Sequence, residues 1–182
     1  IWLFFASSSH VYENKNKKLK ETDKTNPLTL YGKTKLKAEN YLLKVLKRKK
    51  LQICIGRIFS FTHKKQDQSY LIPSLFEKLT CNKKDISLKN LNHDRDFCHI
   101  DDLCRAINLL KKKTSKGIFN IGTGKAVNLF EIAKIINKNN KKIHYKKNNI
   151  KTSLIADISK LKKIGFIPKF EIRKIILDFH KR

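Results

Sequence analysis

Unbroken apolar runs alternate along this chain with segments whose apolar residues recur every three or four positions. Ile1 to Ala6 is continuous apolar chain, the pattern of a strand buried on both faces, and it ends in Ser7-Ser8-Ser9. The polar stretch that follows, rich in Lys, Asn and Asp and closed by Asn26-Pro27, predicts a loop. From Leu30 to about residue 49, Ala38, Tyr41, Leu42, Val45 and Leu46 fall at helical spacing. Leu51 to Phe59, with Gly56 inside it, predicts a second buried strand, and His63 to Ser69 a loop. A short helix over Leu71–Leu79 carries Pro73 in its first turn, and Ile86–Leu88 reads as a short strand. His99 to Lys111 predicts a helix whose Asp101-Asp102 start suits the helix dipole. Ile118–Ile121 is a further strand, closed by Gly122-Thr123-Gly124. Helices over Leu129–Asn137, capped by Asn128, over Ser159–Ile164, stopped by Gly165, and over Ile172–Phe179 complete the pattern. Strands alternating with helices imply an α/β fold with a parallel sheet.

Composition narrows this reading. The 182 residues hold 42 Lys+Arg against 15 Asp+Glu, a formal charge of +27, with 40% hydrophobic residues, enough for a core. No apolar run approaches the ~20 residues of a membrane span. The charge is mostly lysine, scattered in runs at 15–20, 47–50, 111–113 and 141–147, between elements and without interleaved aromatics. That is a solvated surface rather than a base-stacking platform. Abundant Asn and Ile alongside Lys fit a codon bias towards AT, so specific nucleic-acid binding is not expected. Cys54, Cys81, Cys98 and Cys104 form no CxxC pair and read as free thiols of a reducing compartment. The chain has no methionine and opens inside a strand-like run, which we read as a fragment lacking an N-terminal part.

Candidate chemistry begins at Tyr31-Gly32-Lys33-Thr34-Lys35. Spacing i, i+4 puts a phenol and an ammonium on one helix face. A free phenol, with pKa near 10, is a poor base at neutral pH, and a neighbouring cation favours the phenolate. Lowering such a phenol to about 7 takes about 4 kcal/mol at roughly 1.4 kcal/mol per unit.

A strand ending in hydroxyls, then a Tyr/Lys helix, resembles the short-chain dehydrogenase/reductase superfamily. The closer likeness is to its extended branch, the NAD(P)-dependent nucleotide-sugar epimerase/dehydratase family. Phe5-Ala6-Ser7-Ser8-Ser9-His10-Val11-Tyr12 resembles its F-x-S-S-x-x-V-Y strand end, and Asn26-Pro27 to Lys35 its N-P-x-x-x-Y-x-x-S-K stretch, with Thr34 at the usual Ser. Arg57-Ile58-Phe59-Ser60 resembles R-x-F-N, Arg95 to Leu103 the R-D-F-x-H-V-x-D segment, and Phe119 to Gly124 the Y-N-I-G-T-G turn. Asp157 through Gly165-Phe166 to Pro168 resembles the family's tail pattern. The likeness runs in order along the whole chain. The family's opening G-x-x-G-x-x-G turn, which holds a dinucleotide pyrophosphate, is not in these residues, and Gly122-Thr123-Gly124-Lys125 is no substitute.

The resemblance implies the second half of a Rossmann-type parallel sheet (residues 1–60 and 97–124) with a small α/β substrate-binding lobe (61–96 and 125–182), the N-terminal half of the dinucleotide domain being missing. It implies Ser8, Tyr31 and Lys35 as catalytic residues, with Ser9 the competing hydroxyl. It places Ser7, Tyr31, Lys35 and Phe59 at NAD or NADP, in a site incomplete here. Ser9, Ser60, Tyr70, Leu71 and Arg95 fall at a nucleotide-diphosphate sugar, Ser60 standing where relatives have Asn and Arg95 gripping the diphosphate. No metal is implied. The intact protein would be a cytoplasmic homodimer, with neither membrane nor nucleic acid as partner. Arg57 reads as structural, His99 as a hydrogen-bonded helix-start residue, and His63 and His93 as solvent-facing loop residues; His10 reads as a strand-end residue or an acid/base.

The reaction implied is NAD(P)-dependent 4-keto-sugar chemistry on an NDP-hexose. Ser9 and His10 stand where 4,6-dehydratases carry an acidic pair, which disfavours dehydration. Leu88 to Asn92, ahead of Arg95, resembles a run in GDP-hexose members, including the GDP-4-keto-6-deoxymannose reductases. Epimerase and reductase both remain open, and the fragment is expected to be inactive alone; an inert interaction fragment is the second reading.

Overall fold

The computed structural model describes residues 1–48, 51–146 and 151–180. The end of the first predicted helix at residue 49, and parts of the basic runs at 47–50 and 141–147, lie outside them. Strand β1 (Trp2–Ser8) runs into a turn of 3₁₀ helix at Ser9–Val11 and a two-residue strand β2 (Lys18–Leu19). Helix α1 (Leu30–Arg48) follows, then β3 (Gln52–Ile58), β4 (Ser60–Thr62), α2 (Leu71–Thr80), β5 (Asp85–Lys89), β6 (Asp94–Arg95) and β7 (Phe97–His99). The chain continues through α3 (Ile100–Lys112), β8 (Gly117–Ile121), β9 (Val127–Asn128), α4 (Leu129–Ile136), β10 (Lys142–Lys146), β11 (Ser153–Ala156), α5 (Ser159–Lys163) and α6 (Ile172–His180).

The three continuous apolar runs form one parallel sheet in the order β1-β3-β8. Trp2 pairs with Gln52 and Ser8 with Ile58, and Cys54 to Ile58 pair with Gly117 to Ile121. Around this sheet Val11, Leu19, Cys54, Ala106, Leu110, Ile121, Ala156 and Leu161 are almost wholly buried. A second cluster gathers Ile72, Leu79, Leu91, Ile132, Ile136 and Ile176 from α2, the loop before β6, α4 and α6. Residues Leu154 to Phe166, grouped with the smaller lobe by the sequence reading, contribute Leu154, Ala156, Ile158, Leu161 and Phe166 to the cluster around the sheet. All four cysteines are free thiols.

Beneath the C-terminal ends of the strands lies a buried polar network. Glu39 on α1 is 1% exposed and Arg57 on β3 is 4% exposed. The guanidinium donates to both Glu39 oxygens, at 2.7 Å from Nη2 and 3.1 Å from Nε, and to the Glu21 carbonyl. The Ser7 hydroxyl donates to the same carboxylate. Arg57 also lies over the Tyr12 ring, 4.7 Å from its centroid, and the Tyr12 hydroxyl donates to Asn120 on β8 at 2.6 Å. The ion pair thus ties α1 to β3 and, through Ser7, to β1, and Tyr12 extends the network to β8. The pair also fixes how α1 is rotated, because Tyr31, Lys35 and Glu39 are spaced four apart on one face.

A second polar anchor is Asp96, wholly buried after β6. Its carboxylate accepts the backbone N–H groups of Thr123, Gly124 and Ala156 and the Thr123 hydroxyl. Burial pushes its pKa up and these donors pull it back. A Cβ at Gly122 would stand 2.7 Å from an Asp96 oxygen, so the Gly122-Thr123-Gly124 turn needs glycine for this close approach.

Removing one charge of a buried pair strands the other. Glu39→Gln should therefore lower stability by about 3–5 kcal/mol, read as a fall in the denaturation midpoint. The double replacement Glu39→Leu/Arg57→Met should cost less than the sum of the singles. Additive costs, or a Glu39→Gln protein as stable as the parent, would count against the pair as the anchor.

Candidate active-site cleft

The ends of β1 and β3 open into a cleft of about 860 Å³ whose other walls come from the start of α1, the start of α2, and the loop leading into β6. That volume suits a ligand of drug or nucleotide size. Every residue expected at catalysis, cofactor or substrate lines it: Ser7, Ser8 and Ser9, Tyr31 and Lys35, Phe59 and Ser60, Tyr70 and Leu71, and Arg95. Residues far apart in the chain meet here because the parallel sheet puts the ends of β1 and β3 on one side, where open α/β sheets hold ligands.

The start of α1 is set by local packing. A Cβ at Gly32 would overlap the His10 carbonyl and approach Pro27 to 2.8 Å, so glycine there lets the helix lie against the end of β1. Tyr31 is half-exposed to the cleft. The Lys35 ammonium donates to the Ala6 carbonyl at 2.9 Å and lies 5.7 Å from the centroid of the Tyr31 ring and 5.3 Å from that of Phe5. The expected shared face of phenol and ammonium is present, and the ammonium is tethered to the backbone of β1.

The three serines have different surroundings. Ser8 caps the 3₁₀ turn by accepting the His10 N–H at 3.2 Å, which leaves its own O–H to donate. Ser9 is buried to 3% exposure. Ser7, expected at the cofactor, lines the cleft and donates its hydroxyl to Glu39 behind the wall. Phe59 is buried at the cleft floor. Tyr70 ends the loop before α2 and stands exposed at the rim.

His93 lies in the loop before β6, as read, but the solvent-facing part of that reading is corrected: it is half-buried and lines the cleft, and its Nδ1 accepts the Thr152 N–H at 3.1 Å. His10 lines the cleft with its ring edge-on to Tyr31, centroids 6.0 Å apart. Burial first, and the Arg95 charge second, hold the pKa of both histidines below 6.5. His99, as expected, caps α3 by accepting the Asp101 N–H at 3.1 Å, and its Nε2 meets Asp178 at 3.2 Å. Arg57 is structural, as read.

Among the described residues lining the cleft there is no carboxylate, while Lys35 and Arg95 bring two cations. Glu39 is the residue sequence reasoning missed. Its signal was its position four residues after Lys35, which continues the Tyr31–Lys35 face into the helix interior.

His10 is expected to titrate below 6.5 by NMR. Arg95→Gln should move that midpoint upward but leave it short of 6.5, since burial is the larger cause. Because the folded-state pKa is the lower one, the histidine's contribution to stability falls as pH drops through and below 6.5. A midpoint indifferent to Arg95 would place the two groups out of each other's field.

The NAD dependent epimerase/dehydratase family model matches residues 2–122. ADP-L-glycero-D-manno-heptose-6-epimerase of Brachyspira hyodysenteriae is 34% identical over 145 residues, covering 75% of this chain and 46% of that protein. UDP-glucose 4-epimerase of Mycoplasma genitalium is 32% identical over 164 residues, 76% of this chain and 47% of that protein. Among solved structures, MoeE5 in complex with UDP-glucose and NAD superposes with a TM-score of 0.87 at 26% identity, over 99% of this chain and 64% of that one. RMD from Pseudomonas aeruginosa complexed with NADPH shares the fold, with a TM-score of 0.89 at 18% identity, over 100% of this chain and 67% of that one. The chain spans about half the length of the two curated relatives named above. Because the match extends over residues 2–122, well over half of the sequence, this chain belongs to the NAD dependent epimerase/dehydratase family.

Proposed function

We propose that the cleft binds a nucleoside-diphosphate sugar and carries the proton-transfer half of an NAD(P)-dependent epimerase or reductase acting on a hexose hydroxyl or 4-keto group. The observation that carries this reading is the convergence of Ser8, Tyr31, Lys35 and Arg95 on one cleft that no described carboxylate lines. Two cations on a wall that no described carboxylate lines suit a doubly charged diphosphate, and the hydroxyl, phenol and ammonium suit proton transfer at a carbinol. Residues 1–60 and 97–124 would then be the cofactor-side domain, and 61–96 with much of 125–180 the substrate lobe.

Tyr31 is the proposed acid/base at the sugar hydroxyl. Lys35, held by Ala6, keeps a positive charge against the Tyr31 ring, which favours the phenolate. Ser8, with its O–H still available, hydrogen-bonds the reacting oxygen and steadies the proton on its way to Tyr31. Ser9, Ser60, Tyr70 and Leu71 form the walls around the sugar nucleotide, and Arg95 meets its phosphates.

Tyr31, Lys35 and Phe59 fit the nicotinamide end of NAD or NADP by position and donor type. The bound nicotinamide supplies the hydride acceptor or donor. No G-x-x-G-x-x-G turn for the pyrophosphate occurs in these residues, so the fit is to one end only. Among the described residues no helix is long and apolar enough to cross a membrane.

Calorimetry on the 182-residue chain separates the two halves of this reading. UDP, ADP or GDP should bind, whereas NAD(H) and NADP(H) should not bind at micromolar concentration, because two hydrogen bonds of about 1 kcal/mol each do not fix a dinucleotide. Joined to the N-terminal dinucleotide-binding half of a relative, the chain should gain turnover, and Tyr31→Phe should then cut kcat by roughly 100- to 10,000-fold with KM little changed. Absence of any nucleoside-diphosphate binding would sink the proposal.

A further inference from the structure

Arg95 reaches the cleft through a support that no resemblance pointed to. Two carboxylates flank it in sequence, and neither pairs with it. Asp94 is engaged by the Lys151 ammonium at 2.7 Å and the Asn128 amide at 2.9 Å. Asp96 faces the other way and is occupied by the Gly122-Thr123-Gly124 turn. Arg95 instead donates only to neutral oxygens. Nη1 donates to the Asp94 carbonyl at 2.8 Å and the Thr152 carbonyl at 3.0 Å, and Nη2 to the Thr152 hydroxyl at 2.8 Å. Among the described residues it makes no ion pair. A guanidinium has five N–H donors. Three are taken, which leaves Nε–H and the second Nη2–H, the side-by-side pair that accommodates two oxygens of one anion.

Thr152 is itself held. Its N–H donates to Nδ1 of His93 at 3.1 Å, and its hydroxyl lies 3.1 Å from the same nitrogen. Its carbonyl also accepts the Asp94 N–H at 3.0 Å, at the start of the β6–β11 pairing. Thr152 therefore sits at a strand end with carbonyl and hydroxyl both turned to one side of the guanidinium. A side chain without the hydroxyl would give up the Nη2 contact and let the arginine rotate about its last bonds.

We propose that Thr152 is the positioning residue of the anion grip: it holds one side of Arg95 so that the other side presents a fork of two donors to the diphosphate of the ligand. This rests on the nucleotide-sugar reading of the cleft. Thr152 supplies oxygens that orient the guanidinium without neutralising it, so among the described residues the only carboxylate charge acting on Arg95 is that of Asp94, which is itself held by Lys151 and Asn128. A carboxylate in the same place would orient Arg95 equally well and cancel the attraction.

The test is calorimetric binding of UDP, UMP and uridine to the 182-residue chain and its variants. Thr152→Val should weaken UDP about tenfold, leave uridine within twofold, and affect UMP less than UDP. Thr152→Ser, which keeps the hydroxyl, should bind UDP within about twofold of the parent. In an Arg95→Lys background, Thr152→Val should bring little further loss, whereas a merely structural role would give the same loss in both backgrounds. Should Thr152→Val not fold, Thr152→Ala is read in its place. Undiminished UDP binding by a folded hydroxyl-less variant, or a tenfold loss in Thr152→Ser, overturns the positioning role. Failure of the parent chain to bind UDP, ADP or GDP at all overturns the nucleotide-sugar reading and takes this proposal with it.

Discussion

The ion pair between Glu39 and Arg57 is the constraint on which the cleft depends. Each group is almost wholly out of water, and neither would be stable there alone. Their hydrogen bonds close the account: Glu39 accepts from Arg57 and Ser7, and Arg57 uses its remaining reach on the Glu21 carbonyl and the Tyr12 ring. Such a pair is weak evidence for stability but a strong restriction on geometry. A helix packed on a sheet by apolar contacts alone can rotate by part of a turn with little loss. With a carboxylate locked under the ends of the strands, α1 has one rotation, and that rotation sends Tyr31 and Lys35 to the end of β1.

Asp96 performs the matching task on the other side of the cleft. Residues next to each other in extended chain point to opposite sides. Once Asp96 is buried against the Gly122-Thr123-Gly124 turn and Ala156, Arg95 must face outward, which here means the cleft. The Arg95-Asp96 dipeptide is thus an anchor and a cleft-facing group in one step of chain. Asp102 behaves like Asp96: wholly buried, it accepts the N–H groups of Lys169 and Phe170 and pairs with Arg105, fixing the tail segment against α3.

How much of this could be read from the sequence followed from the range of the forces involved. The runs Ile1–Ala6, Leu51–Phe59 and Ile118–Ile121 are buried on both faces, so hydrophobicity alone marks them, and they form β1, β3 and β8. The helix at Leu129 was marked by Asn128, whose side chain does accept the Phe130 N–H. Strands β2, β4, β6, β7, β9 and β11 escaped notice because they are two to four residues long and exist only through partners distant in the chain, as Lys18-Leu19 does through Ile155-Ala156. β10 was hidden differently: its lysines masked the Ile143 and Tyr145 positions that pair with Ile86 and Leu88 of β5. The cleft-lining residues were legible because their spacing resembles a family's motifs. Their supports were harder to read: Glu39 had only its spacing from Lys35 to mark it, and Thr152 and His93 are recognised only by what they touch.

The high positive charge acquires a different meaning from this arrangement. With 15 acidic residues against 42 basic ones, most lysines remain in solvent, where each costs little. The acids are not spread evenly against them. Glu39, Asp96 and Asp102 are buried as structural acceptors, and Asp94 is turned onto Lys151 and Asn128. Every carboxylate near the cleft is thereby engaged behind its wall, and the wall itself keeps Lys35 and Arg95. The sign of the cleft is thus set less by the number of lysines on the surface than by where the few carboxylates are used. A lysine-rich composition could drift upward or downward without changing it, whereas one carboxylate released into the cleft would put a counter-charge beside Arg95.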